Sequence, residues 1–223
     1  MGTFREKCKK GLLTLIYKGG GKNPIMAKSY RPIMLLSVMG NTLEHLINKI
    51  LMEYLDAVEG IHPRQNGFMK GKSTEKSVID MVNQVRSYDQ TYMCRRYPWI
   101  YQKRLTVLGV HRFCGNYACW STPGTFRVIK DFMADRICVL EMGNHREEKA
   151  LSRGCPQGPL LSPILWNMIF EGLLRLYLPQ GCVIFGYADD RLLLIPAWSR
   201  SELERKMEIA LKRVDQRDKN FKL

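Results

Sequence analysis

The segment VIFGYADDRLLLI, residues 183–195, constrains the fold more than any other stretch. Two apolar runs, 183–187 and 192–195, flank Asp189 and Asp190. Short runs of this composition around a turn signal read as two strands of a hairpin. Because both runs are almost wholly apolar, both faces of the hairpin must be covered by other layers. The two carboxylates then sit at the hairpin tip, close to the protein body. A turn tolerates Asp for local reasons, since its side chain can bond turn backbone. Two like charges beside apolar surface also repel unless a cation neutralises them. Hard divalent metals take oxygen ligands of this kind.

The rest of the chain supplies the covering layers. Asn41 and Glu44 read as a capping pair opening a helix over 41–58, with Leu43, Leu46, Ile47, Ile50, Leu51, Tyr54, Leu55 and Val58 at helical spacing. Ser73 opens a second helix to about 85, with Val78, Ile79, Val82 and Val85 expected inward. Residues 126–133 read as a short helix, and 137–140 and 149–151 as strands joined across Gly143-Asn144. Ser162-Pro163 is a start signal for a helix burying Leu165, Met168, Ile169 and Leu173. Ser199 with Glu202 begins a last amphipathic helix carrying Leu203, Met207, Leu211 and Val214. Helices and antiparallel strands mix without a βαβα rhythm, so the expected class is α+β.

Composition narrows the function. No apolar run approaches ~18 residues, which excludes a membrane-spanning helix. The amino terminus, MGTFREKCKKGLL, does not resemble a secretory signal. Seven scattered cysteines form no C-x-x-C pair, and no histidine lies at zinc-ligand spacing, so an intracellular, reducing compartment is expected. The 223 residues carry 35 Lys and Arg against 21 Asp and Glu, a net charge of +14. That excess attracts polyanions, nucleic acid first and an acidic membrane surface second.

Three further segments fit a phosphate-rich partner. In 16–37, Lys18, Lys22, Lys28 and Arg31 surround three consecutive glycines, although the P-loop pattern GxxxxGK[ST] is absent. In 62–74, Arg64, Lys70 and Lys72 surround Gly67 and Gly71 as a basic turn. In 152–167, SRGCPQGPLLSPILWN, Gly154 and Gly158 allow close backbone approach between Pro156, Pro159 and Pro163. Gln157 there can hydrogen-bond a base or sugar edge.

YRPIMLLS, HPRQNGFMKGKST, RGCPQGPLLSPILWN and YADD occur in that order. Together they closely resemble the reverse transcriptase of LINE-like, non-LTR retrotransposons, most strongly the insect elements that insert into ribosomal RNA genes. The resemblance covers about residues 11–223. It implies a right-hand polymerase with an antiparallel palm sheet and packed helices: 1–92 as fingers and 93–223 as palm, truncated before the thumb and without an endonuclease domain. It implies an RNA-directed DNA polymerase working on an RNA template, a DNA primer and dNTPs, in nucleus and cytoplasm and away from membranes. Asp189 and Asp190 match the family's paired catalytic, metal-binding aspartates, with magnesium expected and manganese as a substitute. Tyr187 matches a residue near the primer end. Gly154, Pro156, Gln157 and Gly158 match the loop that packs on template and incoming nucleotide. Lys70 and Lys72 match the finger loop that faces the nucleotide phosphates, and Arg31 of the basic edge is a further candidate for nucleotide or template contact.

Departures from the family pattern bear on activity. The resemblance calls for a third aspartate on a palm strand before the RGCPQG loop. Residues 104–126, RLTVLGVHRFCGNYACWSTPGTF, contain no Asp or Glu, and Gly109 stands nearest the missing carboxylate. Asp89 and Asp131 are the first candidates to replace it. Met69 stands where the family usually has Arg. An impaired polymerase is therefore expected. The alternatives are a catalytically dead nucleic-acid-binding relic and, less well supported, a metal-dependent nuclease using the same Asp pair.

Overall fold

A computed structural model describes residues 6–88, 123–151, 157–188 and 190–221. The elements run α1 (Glu6–Lys9), β1 (Lys10–Tyr17), β2 (Tyr30–Leu36), α2 (Val38–Ala57), α3 (Thr74–Ser87), α4 (Pro123–Met133), β3 (Arg136–Met142), β4 (His145–Leu151), α5 (Leu161–Leu174), β5 (Val183–Tyr187), β6 (Asp190–Leu194) and α6 (Arg200–Phe221). The fold is α+β, as expected. The chain forms two compact units, each from two segments: Met1–Ala57 with Val107–Ile164, and Val58–Thr106 with Leu165–Leu223.

The first unit is built on a four-stranded sheet of order β2-β1-β3-β4. β1 pairs antiparallel with β2 from Gly11↔Leu36 to Tyr17↔Tyr30, and parallel with β3. The sequence pattern predicts only a flexible basic edge here, and the structure instead forms both strands of a hairpin. The expected β3–β4 hairpin turns at Gly143-Asn144, with Met142 opposite His145. The core gathers Met34, Leu51, Leu55, Ile129 and Phe132, each at most 2% exposed. Lys9 on α1 donates to Asp131 on α4 at 2.8 Å, a pair with a nearly buried ammonium.

Two local expectations are corrected in this unit. α2 begins at Val38, not Asn41, because Ser37 Oγ accepts the Gly40 N–H at 3.2 Å and caps the helix earlier. Glu44 therefore lies beyond the first turn. It is fully buried, and its carboxylate accepts the Leu160 N–H at 2.8 Å. α5 likewise begins at Leu161, ahead of Ser162-Pro163, since this carboxylate from a distant part of the sequence serves the helix start. On α2, Leu46 and Ile50 are about half exposed rather than core.

The second unit holds the β5–β6 hairpin, α3, α6 and most of α5. Ser73 Oγ accepts the Lys76 N–H at 3.1 Å, the expected cap of α3. No α3 residue is buried, and Val78 and Ile79 are more than half exposed, so the inward face expected there is not realised among the described residues. α6 opens with the expected box: Ser199 Oγ accepts from Glu202 N, and the Glu202 carboxylate accepts from Trp198 N. α5 is apolar nearly all round, and residues 164–171 are all buried. Arg191 on β6 donates to both oxygens of Asp218 on α6 at 3.0 Å, and both side chains are almost fully buried. Among the described residues no helix is long and apolar enough to cross a membrane. Cys8, Cys138 and Cys182 are free, buried thiols.

Candidate metal and nucleic-acid site

β5 and β6 pair from Val183↔Leu194 to Tyr187↔Asp190. Asp190 is thus the first residue of β6, paired with Tyr187, and is not part of an Asp-Asp tip. Ala188 sits in the left-handed region at φ +56°, a conformation that costs an L-residue roughly 1–2 kcal/mol. It persists because its surroundings over-determine it.

Those surroundings come from α5 and from the segment His62–Phe68. Trp166 is 3% exposed, and its indole N–H donates to the Ala188 carbonyl at 2.9 Å. Asn66 N donates to Gly186 O, and Gly186 N to Arg64 O, each at 3.0 Å, so residues 64–66 run as a short extra edge beside β5. Gly67 lies so close to Ala188 that a Cβ there would collide with backbone atoms of Tyr187 and Ala188. Asn167 Nδ2 then ties the Gly67 carbonyl at 2.8 Å, and Gln65 Oε1 accepts the Gly67 N–H at 3.0 Å. Phe170, one turn after Trp166, covers Gly186. The QNG of HPRQNGFMKGKST, read from sequence only as part of a basic turn, is the buried clamp of the carboxylate-bearing turn. Phe68, beside Gly67, is also left-handed at φ +57° and is exposed.

The basic residues of the same segment divide by role. Lys70 is exposed. Lys72 donates to Pro63 O at 2.6 Å and Gln65 O at 2.8 Å, folding its ammonium over the clamp. Desolvation there lowers its pKa; Asp80 opposes the shift and Lys76 adds to it. Two of its three protons are committed. His62 Nδ1 accepts the Arg64 N–H at 3.1 Å, and its backbone N–H donates to the buried Glu171 carboxylate. Burial first, then Arg64, Arg175 and Lys72, drive the His62 pKa down to about 4.

The other sequence-derived positions belong to the first unit. Met34 N on β2 donates to Gln157 O at 2.7 Å, which lays the loop along that strand. Gly158 adopts φ +121° against Ile33 and Met34, so a side chain there would be strained and crowded. Arg31 is exposed on the same strand, opposite Ile16. The structure thus groups Tyr187, Asp190, Lys70 and Lys72 in one unit, and Arg31, Gln157 and Gly158 in the other. Gly154, Pro156 and Asp189 lie outside the described residues, as do Asp89, Gly109 and the rest of 104–122. Asp131 is described and is committed to Lys9.

A carboxylate such as Asp190 offers the oxygen donors that a hard dication takes. Asp190 is exposed, and no described side chain bonds or pairs with its carboxylate, although the chain carries net charge +14. Asp189 adjoins it in sequence. Among the described residues no three His, Cys, Asp or Glu side chains gather as a metal cluster.

Sequence reading missed Trp166, Asn167, Gln65 and Gly67 as supports of the turn. A signal was present: an otherwise apolar helix carrying Trp-Asn must give buried N–H groups a partner.

Comparison with known proteins agrees with the geometry. The chain is 29% identical over 217 residues to the "Putative 115 kDa protein in type-1 retrotransposable element R1DM" of Drosophila melanogaster, covering 92% of this chain and 20% of that protein. It is 28% identical over 206 residues to the Pol polyprotein of the type-1 element R1 of Bradysia coprophila, covering 90% and 20%. The chain thus spans about a fifth of the length of these relatives. Among solved structures, telomerase from Candida tropicalis, determined with a fragment of telomeric RNA, shares the fold with a TM-score of 0.64 at 12% identity, over 98% of this chain and 40% of that one. The description of the reverse transcriptase (RNA-dependent DNA polymerase) family matches residues 109–223, more than half of the sequence. The resemblance carried by YRPIMLLS, RGCPQG and YADD therefore holds, and the chain belongs to the reverse transcriptase family.

Proposed function

We propose that this chain is the fingers (1–92) and palm (93–223) part of an RNA-directed DNA polymerase of a non-LTR element. The 3′-OH of a DNA primer attacks the α-phosphorus of a dNTP paired to an RNA template; a P–O bond forms and pyrophosphate leaves. The observation that carries this reading is the open carboxylate at the end of an otherwise buried hairpin. Asp189 and Asp190 would hold magnesium, or manganese in its place, which supplies charge neutralisation at the phosphoryl oxygens and the primer hydroxyl. Tyr187 borders the primer end. Gly154, Pro156, Gln157 and Gly158 support the template base and the incoming nucleotide. Lys70 and Arg31, both exposed, and the remaining proton of Lys72 offer contacts to phosphate.

The same reading carries a deficit. No carboxylate occurs in 104–126, and Asp131 is held by Lys9. Loss of one essential group of this kind costs about 4 kcal/mol, or roughly a thousandfold in rate. Met69 replaces a charge that would meet the triphosphate. Primer extension on an RNA template is therefore expected near background. Gly109→Asp, within a family-like segment replacing 108–116, should raise it. Robust extension by the unaltered chain that Asp189→Asn abolishes would keep the polymerase and remove the deficit. Manganese broadening equal in wild type and Asp189→Asn/Asp190→Asn would remove the metal assignment. The acid-free stretch favours a second reading, a nucleic-acid-binding relic, which predicts salt-sensitive binding of RNA–DNA hybrid with no extension even after the repair.

A further inference from the structure

We propose that Trp166 is a positioning residue for the carboxylate turn. Its indole N–H fixes the Ala188 carbonyl, and so the backbone leading to Asp190, the described member of the Asp189–Asp190 pair. The inference rests on the reading of that pair as metal-holding and goes beyond it by naming what sets its geometry.

The argument starts from strain. Ala188 is not glycine, yet it is left-handed and only 9% exposed. A buried carbonyl needs a donor. The donor here is a side chain rather than the sheet ladder: Trp166 Nε1 at 2.9 Å, itself 3% exposed. An indole is a donor only, so this bond has a single sense. Gly67 presses on the preceding peptide, Tyr187–Ala188, from the 64–67 edge and would admit no Cβ. The turn is therefore held through its backbone, by one hydrogen bond and one steric stop. The Asp190 carboxylate stays free of described protein partners. Anchoring a ligand through its backbone leaves its oxygens for a cation while restricting where they can go, which is what preorganised ligation requires. Trp166 also has a packing role that does not depend on this bond. Its ring already packs on Phe170 with centroids 6.2 Å apart.

The test compares wild type, Trp166→Phe, Phe170→Leu and Asp190→Asn in the full chain. Trp166→Phe keeps an aromatic ring and deletes the donor. Phe170→Leu removes packing on the same helix face and keeps the donor. Two quantities are read: hydrogen exchange of the Tyr187 and Asp190 amides relative to core amides of α5, and manganese affinity by paramagnetic broadening. One neutral hydrogen bond corresponds to about a tenfold change in an equilibrium. Trp166→Phe should thus speed exchange of the two turn amides about tenfold beyond any change in α5, and weaken manganese binding several-fold. Phe170→Leu should shift turn and core amides together. Turn exchange and manganese affinity unchanged in Trp166→Phe would overturn the proposal while leaving the metal reading intact. Equal broadening in wild type and Asp190→Asn would overturn the metal reading, and with it the role given to the bond. Should Trp166→Phe fail to fold, the wild-type indole N–H decides: exchange as fast as a free indole overturns the proposal, and strong protection supports it.

Discussion

The two hairpins of this protein hold their loops by opposite means. The β5–β6 turn is gripped from outside the hairpin, by Trp166, Gly67 and Asn167, all buried. The β1–β2 hairpin has a full backbone ladder but an open tip: a side chain at Gly19, Gly20 or Gly21 would touch nothing within 4 Å, and Ile25 is 89% exposed. Its local bonds, such as Lys18 Nζ to Lys28 O at 2.6 Å, stay within the loop. On the proposed function, the difference matches what each loop would offer. Metal ligation is short-ranged and rewards fixed oxygens. Phosphate attraction acts over a Debye length and needs charge more than geometry.

The largest effect that would break this contrast lies at Arg191. Arg191→Met leaves Asp218 buried without its bidentate partner, and should cost about 3–5 kcal/mol in urea unfolding. Lys10→Met removes the exposed pair with Glu148 and should cost nothing measurable. Equal losses would mean that burial does not separate the two regions.

A backbone collision ranks next. Gly67→Ala forces a Cβ into the Ala188 peptide, with an overpacking cost of about 1–3 kcal/mol and loss of manganese binding. Gly20→Ala, at φ +66° in open space, should cost only the left-handed penalty of roughly 1 kcal/mol, with manganese binding untouched. Denaturation curves and metal titrations on both variants check this.

The same contrast governed what could be read from sequence. The β5–β6 hairpin was legible because its apolar runs leave no alternative to burial, and α6 because Ser199 and Glu202 announce its start. The β1–β2 hairpin was not, because lysines and glycines at its turn hid a strand pattern whose Leu12, Leu15 and Ile16 are exposed. Helix starts failed where the capping group was remote. Glu44 serves Leu160 across 116 residues, and no local pattern encodes that. The candidate site was half visible: the carboxylates and the PQG loop follow from motif. The clamp of Gln65, Gly67, Trp166 and Asn167 emerges only when α5 and residues 64–67 meet β5.

Titration sharpens the comparison, because one group in each unit, buried Glu44 and half-buried His62, shifts with opposite sign. Desolvation raises the Glu44 pKa to about 7, against the pull of the Leu160 N–H, Arg136 and the Leu161 N–H. The folded state therefore binds this proton more tightly than the unfolded chain. Stability from Glu44 is full below about pH 4.5 and is lost as pH rises towards 7. His62, driven down to about 4, works the other way: its contribution is full above about pH 6.5 and is lost as pH falls towards 4. Between these limits, hydrogen exchange should report the Glu44 unit weakening and the His62 unit strengthening as pH rises. Glu44→Gln and His62→Asn should each flatten one slope. Parallel slopes in both units would refute the assignment.

The smallest effect separates two lysines that look alike in sequence. Lys22 is exposed in the β1–β2 loop, and its ammonium holds no described residue, so on the proposed function its charge is available to a phosphate. Lys22→Ala should lower the slope of log K against log salt for single-stranded RNA by about 0.7, one phosphate contact, and leave unfolding unchanged. Lys72 spends two of its protons on Pro63 O and Gln65 O, beneath the clamp. Lys72→Ala should therefore change the salt slope less than Lys22→Ala and speed exchange of the Asn66 and Gly186 amides, whose bonds run along that edge. If Lys72→Ala instead lowers the slope by a full contact with exchange unaltered, its ammonium leaves those carbonyls for phosphate when RNA binds, and the division between a gripped turn and a charged edge would not extend to this residue.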